Sequence, residues 1–154
     1  MNLIAVTRPE EWNFPLFVHV LGAMILVGGV LTGAGALAFA RGHASSLRLG
    51  YWSLLAVALP GWILMRIGAQ WIYTEENWDD LPDEVDEPAW LGIGYTVADL
   101  GGLILLLSLV LGGVGVRRLR DGGGGGLLKA TLVLSLIALA GYVVAVWAMS
   151  GKPN

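Results

Sequence analysis

The sequence contains no cysteine, which excludes disulfides, thiolate metal sites and cysteine nucleophiles. It is also poor in charge. Only 14% of its 154 residues are Asp, Glu, Lys or Arg, where a soluble domain carries roughly 25%. Polar surface is too scarce to cover a water-exposed globule. The chain holds no phosphate-loop motif, nucleophile triad or nucleic-acid-binding basic patch, so soluble-type catalysis and a nucleic-acid partner are not expected. The first 14 residues carry Arg8, Glu10 and Glu11 with no basic lead into a short apolar core, so they read as mature chain and not as a cleavable signal.

What the sequence has in abundance is apolar residues, 56% of the total. Crossing a hydrocarbon core takes about 20 of them in helix. Four stretches qualify: Pro15–Ala40, Gly50–Tyr73, Trp90–Val116 and Leu127–Met149. Each helix satisfies its own backbone in lipid. The expected fold is all-α, an integral membrane antiparallel four-helix bundle forming a single domain over residues 1–154.

Charge is segregated between the connections. Arg41, His43 and Arg48 follow the first span, and Arg117, Arg118, Arg120 and Lys129 surround the third connection. The second connection holds Glu75, Glu76, Asp79, Asp80, Asp83, Glu84, Asp86 and Glu87, with no basic residue. Positive connections stay inside, so both termini and the acidic connection are expected on the extracytoplasmic face of a prokaryotic cytoplasmic (inner) membrane. Trp12, Trp71, Trp78, Trp90 and Trp147 then fall near the outer interface, where indole rings settle. The acidic connection suits a solvated, topology-setting role, with a hard cation or a basic partner as alternatives. Five consecutive glycines, Gly122–Gly126, read as a flexible hairpin between spans three and four. Gly29 and Gly33, like Gly141 and Ala145, form small-xxx-small pairs suited to close helix packing or to a homodimer seam.

Ionisable groups inside a span are costly and tend to mark function. Three are present, His19, Arg66 and Asp99. They lie roughly 6, 10 and 13 Å below the outer helix ends, with Tyr142 at roughly 10 Å. Trp62, Arg66, Gln70 and Tyr73 share one face of span two. Tyr95, Asp99 and Gly102 share one of span three, and Thr131, Ser135, Ala138 and Tyr142 one of span four. Such stripes are expected to face the bundle interior. The expected ligand-binding pocket, in the outer half, is lined by His19, Arg66, Gln70, Tyr95, Asp99 and Tyr142, with Arg66 and Asp99 ion-paired. The alternative is a purely structural ion pair pinning two helices. His19 and His43 are about 36 Å apart along a helix, so they cannot serve one ion within a monomer. His43 reads as a solvated loop residue. His19 alone is a candidate axial ligand to heme b, with Met24 or Met65 as candidates for a second ligand.

The opening span reads Leu16-Phe17-Val18-His19-Val20-Leu21-Gly22-Ala23-Met24-Ile25-Leu26-Val27-Gly28-Gly29. It resembles the first helix of a group of bacterial four-helix membrane proteins, in which a leucine and histidine precede a Gly-Gly by a turn or two. That group includes CopD-like copper-resistance domains, heme-binding four-helix protoporphyrinogen oxidases, and uncharacterised integral membrane families of similar size. The resemblance covers mainly this helix. It implies a histidine ligand to heme at the place of His19, while Met24 and Ile25 stand where the relatives often have a tryptophan. Three functions compete: a redox or heme protein, a dimeric small-molecule or ion transporter using Arg66 and Asp99, and an accessory subunit of a membrane complex.

Overall fold

A computed structural model describes residues 13–76 and 88–151. Four long helices account for nearly all of them: α1 (Asn13–Ala38), α2 (Ala44–Glu75), α3 (Ala89–Arg118, prolonged by a 3-10 turn over Leu119–Asp121) and α4 (Gly125–Gly151). Even the shortest has 26 residues, about 39 Å at 1.5 Å per residue, so each is long and apolar enough to cross a membrane. The helices run antiparallel in sequence. Packing is closest within the hairpins α1–α2 and α3–α4, and the hairpins meet along α1–α4 and more sparsely along α2–α3. One end of the bundle carries Glu75 and Glu76, and the other carries Arg41, Arg48, Arg117, Arg118, Arg120 and Lys129. We call these the acidic and basic ends. Trp12, Trp78, Asp79, Asp80, Asp83, Glu84, Asp86 and Glu87, which entered the sequence argument, lie outside the described residues.

Glycine sets the α1–α2 distance. A methyl group at Gly29 would stand 2.6 Å from the Ala58 nitrogen, and one at Gly33 would stand 2.8 Å from the Leu54 side chain. Gly22 lies on the backbone of Met65, and Gly61 on that of Leu26. Close backbone approach gains dispersion contacts, the main source of helix association where lipid is as apolar as the protein. Leu26, Val30, Leu54 and Ala58 fill the buried strip beside these glycines.

Span two begins six residues earlier than the sequence pattern suggested, because Ala44–Leu49 are helical. It also departs from uniform α geometry, with a π-helical stretch over Leu54–Ala58. Pro60 accounts for it: a proline has no N–H for the carbonyl four residues back and its ring crowds that carbonyl, and widening the preceding turn relieves both. At this level Ser53 Oγ donates 2.9 Å to the Gly29 carbonyl. The bond is fully buried, so Ser53→Ala is expected to lower stability by about 1 kcal/mol, read as a fall in thermal midpoint of the detergent-solubilised protein; an unchanged midpoint would show the bond to be dispensable.

The two tight connections are ordered turns. Arg41 (φ 44°) and Gly42 (φ 84°) reverse the chain after α1, and His43 Nδ1 lies 3.0 Å from the Ala40 carbonyl. His43 thus closes a turn as well as meeting solvent. In the glycine run, Gly122 (φ 74°) and Gly124 (φ 91°) hold left-handed conformations open to glycine at little cost. Gly123 N–H bonds to the Arg118 carbonyl at 3.0 Å. Gly125 and Gly126 already belong to α4. The expected flexible hairpin is therefore a compact turn of three glycines leading straight into a helix.

Candidate functional site

A cavity of ≈ 900 Å³ occupies the acidic half of the bundle and touches all four helices. It exists because the two hairpins, tight within themselves, meet only sparsely along α2–α3. Its walls are mainly apolar, with Ala23, Leu26, Val97, Ala98 and Ala145 among them. Into this surface project His19 from α1, Arg66 from α2, Tyr95 from α3 and Tyr142 from α4. The cavity also borders Val20, Met24 and Val146, all exposed on the bundle exterior. It therefore reaches the lateral surface between α1 and α4.

His19 is held by close packing. Gly68 lets the α1 backbone rest on α2 at this residue, where an added methyl group would stand 2.6 Å from the His19 Cα. The ring then reaches the Met65 carbonyl, 3.0 Å from Nδ1. A carbonyl only accepts, so Nδ1 carries a proton, and in the neutral ring Nε2 keeps the lone pair. Orienting a histidine through one nitrogen leaves the other ready to bind a metal or accept a hydrogen bond.

Arg66 and Asp99 form the expected ion pair, Nη2 to Oδ1 at 2.9 Å. The guanidinium also lies 4.9 Å from the Tyr95 ring centroid, a favourable cation–π distance. Tyr95 in turn stacks edge-on against Tyr73 and makes a long hydrogen bond to the Ala69 carbonyl. The other guanidinium nitrogen, Nη1, is buried without a hydrogen-bond partner among the described residues. So is the hydroxyl of Tyr142, a residue only 3% exposed. An unpartnered buried donor costs roughly 1–3 kcal/mol. Both atoms belong to residues that line the cavity, yet packing closes both off from it, the Tyr142 hydroxyl lying against Gly101.

The structure brings four of the six expected residues to the cavity and turns two away. Gln70 and Asp99 stand on outward faces of their helices, Asp99 with 58% of its side chain exposed against 26% for Arg66. The expectation that every polar stripe faces inward is corrected here. The reason is the rotation of α3. Gly101 must face the Tyr142 ring, where a methyl group would come within 2.6 Å, and Gly102 must face the Trp62 indole at 2.5 Å. Satisfying those two contacts swings Asp99 to the α2–α3 seam. The stripe on α4 behaves as expected: Thr131, Ser135, Ala138 and Tyr142 are all buried.

Trp62 is the residue that sequence reasoning undervalued. Its Nε1 donates 2.9 Å to the carbonyl of Ala98, a residue that lines the cavity, and so ties α2 to α3. An indole N–H in mid-span, away from the interfaces where tryptophan settles, was the available signal. Of the two methionines considered as second ligands, Met65 is buried and Met24 is 68% exposed, although both border the cavity. No group of three or more His, Asp or Glu converges into a metal-binding cluster among the described residues. Comparison with family models, curated proteins and solved structures finds no match to this chain.

Proposed function

We propose that this multi-pass membrane protein binds a lipophilic molecule with an oxygen-bearing head in the acidic-half cavity, taken up laterally between α1 and α4. The observation that carries this reading is the cavity itself, mainly apolar in its walls, lined by His19, Arg66, Tyr95 and Tyr142, and open laterally between α1 and α4. Nε2 of His19, left free by the bond from Nδ1 to the Met65 carbonyl, supplies an acceptor for the head. The volume lies within the 300–1,000 Å³ typical of small-molecule sites. The basic connections favour an orientation with the acidic half toward the outside of a prokaryotic cytoplasmic membrane, and in that orientation the ligand comes from the outer leaflet.

The test is extraction of the purified protein with organic solvent, followed by mass spectrometry. A lipophile is expected at near-stoichiometric amount in the wild type and absent from Ala145→Trp, which fills the cavity. His19→Ala is expected to weaken its retention about tenfold, the equivalent of one hydrogen bond. Extracts that match bulk lipid in wild type and variants alike would remove the proposal.

A narrower second reading rests on the orientation of His19. With Nδ1 committed to the Met65 carbonyl, Nε2 is suited to hold the iron of heme b, and Arg66 is suited to a heme carboxylate. A single histidine fits this group, since heme needs few protein ligands. When bound, heme would supply one-electron chemistry. Protein expressed with ample heme should show a Soret band that survives His43→Ala and disappears in His19→Ala. No band in the wild type would end the heme reading and leave the lipophile reading standing.

A further inference from the structure

A second concavity of ≈ 430 Å³ lies in the basic half, between α2 and α3, well apart from the cavity above. Its walls are Tyr51 and Trp52 from α2 and Leu109, Val110, Gly113 and Val114 from α3, with Arg117 at its end. Val110, Gly113, Val114 and Arg117 follow the i, i+3, i+4, i+7 spacing of one helix face. Arg48, Tyr51, Trp52 and Leu55 do the same on α2. Arg48 and Arg117 are both exposed and both sit near the basic termini of their helices. The groove is thus an apolar channel with Arg117 at its end and Arg48 a turn beyond Tyr51 and Trp52 on the same face of α2. Gly113 lets the Tyr51 phenol approach α3 and form one wall: a methyl group there would stand 3.1 Å from the Tyr51 hydroxyl. Trp52 and Val110, exposed on the same surface, place the channel in contact with acyl chains.

We infer that this groove is a binding site for an anionic phospholipid. One acyl chain lies along Trp52, Val110, Gly113 and Val114, and the phosphodiester meets Arg48 and Arg117. Three features select this ligand class. The channel is apolar along its length, which suits a chain and not a soluble anion. Arg117 lines its end and Arg48 stands a turn beyond its α2 wall, and guanidinium groups match phosphate oxygens with forked hydrogen bonds. The surroundings are predominantly positive, since Arg41, Arg118, Arg120 and Lys129 share this end with Asp121 as the single acidic residue there among those described. A zwitterionic headgroup gains less from such a field than an anionic one.

The experiment is native mass spectrometry of the full chain, delipidated in detergent and supplied with dioleoyl phosphatidylglycerol or dioleoyl phosphatidylcholine. Wild type is expected to retain the anionic lipid at least about tenfold better. Each of Arg48→Gln and Arg117→Gln should reduce that preference about fivefold, and the double variant should abolish it. Arg120→Gln, off the groove, should leave it unchanged. Gly113→Leu should lose the bound lipid while keeping every charge. Glycerol 3-phosphate, which has the anion without the chain, should not displace it. The inference is overturned if the two lipids are retained equally, if the double variant keeps its preference, if Arg120→Gln matches the groove variants, or if glycerol 3-phosphate competes. The arginine variants lie on the surface, so their outcome does not depend on a disturbed fold.

Discussion

Gly29→Ala is expected to destabilise the bundle by about 1–3 kcal/mol, whereas Gly28→Ala is expected to leave stability unchanged or raise it by up to about 1 kcal/mol. The two glycines are adjacent in sequence and identical in chemistry. Gly29 faces α2, where an added methyl group would stand 2.6 Å from the Ala58 nitrogen and 2.9 Å from its Cα. Those are main-chain atoms and cannot rotate away, so the helices must separate. Separation loses dispersion contacts along the whole hairpin, the interaction that holds helices together in lipid. Gly28 has open space where its side chain would be, and alanine there also favours helix by up to about 1 kcal/mol. Reversible unfolding of both variants in mixed micelles would measure the difference. Equal losses at the two positions would show that the α1–α2 seam is not set by Gly29.

Arg66→Met is expected to cost about 2–3 kcal/mol, and adding Asp99→Leu is expected to restore most of it. In water, a pair with one carboxylate 58% exposed would contribute only about 0–1 kcal/mol. Asp99 lies ten residues into α3, about 15 Å from its acidic end, where a membrane offers acyl chains in place of water. Removing only the arginine leaves a carboxylate there without its counter-ion. Removing both leaves apolar side chains suited to that surface. A double-mutant cycle on folded stability gives the coupling directly. Simple additivity of the two losses would show that the 2.9 Å contact contributes nothing to stability. Tyr95 is the control: Tyr95→Leu removes the stacking surface under Arg66 and should cost about 1 kcal/mol.

The four spans were legible because their signal is local. A run of some twenty apolar residues must become helix in lipid, whatever surrounds it, since each helix satisfies its own backbone. Span ends were less secure. Ala44–Leu49 are helical although Ser45, Ser46 and Arg48 interrupt the apolar run, because a helix can continue past the hydrocarbon into the interface. The π-helical stretch before Pro60 was foreseeable from that proline, whose missing N–H is a local fact. The Arg66–Asp99 pair followed from charge and depth alone, since antiparallel neighbours at one level have few other partners.

The facing of each side chain was not legible in the same way. A period of 3.6 residues tells which positions share a stripe, but not which stripe meets which neighbour. The identity of the residues determined an all-helical chain able to cross a membrane four times, with its carboxylates and guanidinium groups at opposite ends and a few ionisable groups in between. Only the tertiary structure decided that Asp99 and Gln70 turn outward while His19, Arg66, Tyr95 and Tyr142 border one cavity. The physical reason lies in the glycines. Where Gly22 and Gly29 meet the α2 backbone, and where Gly33, Gly101 and Gly102 meet the side chains of Leu54, Tyr142 and Trp62, there is no room for a further side-chain atom. Those contacts, between residues far apart in the chain, set the rotation of each helix and with it the chemistry each one presents.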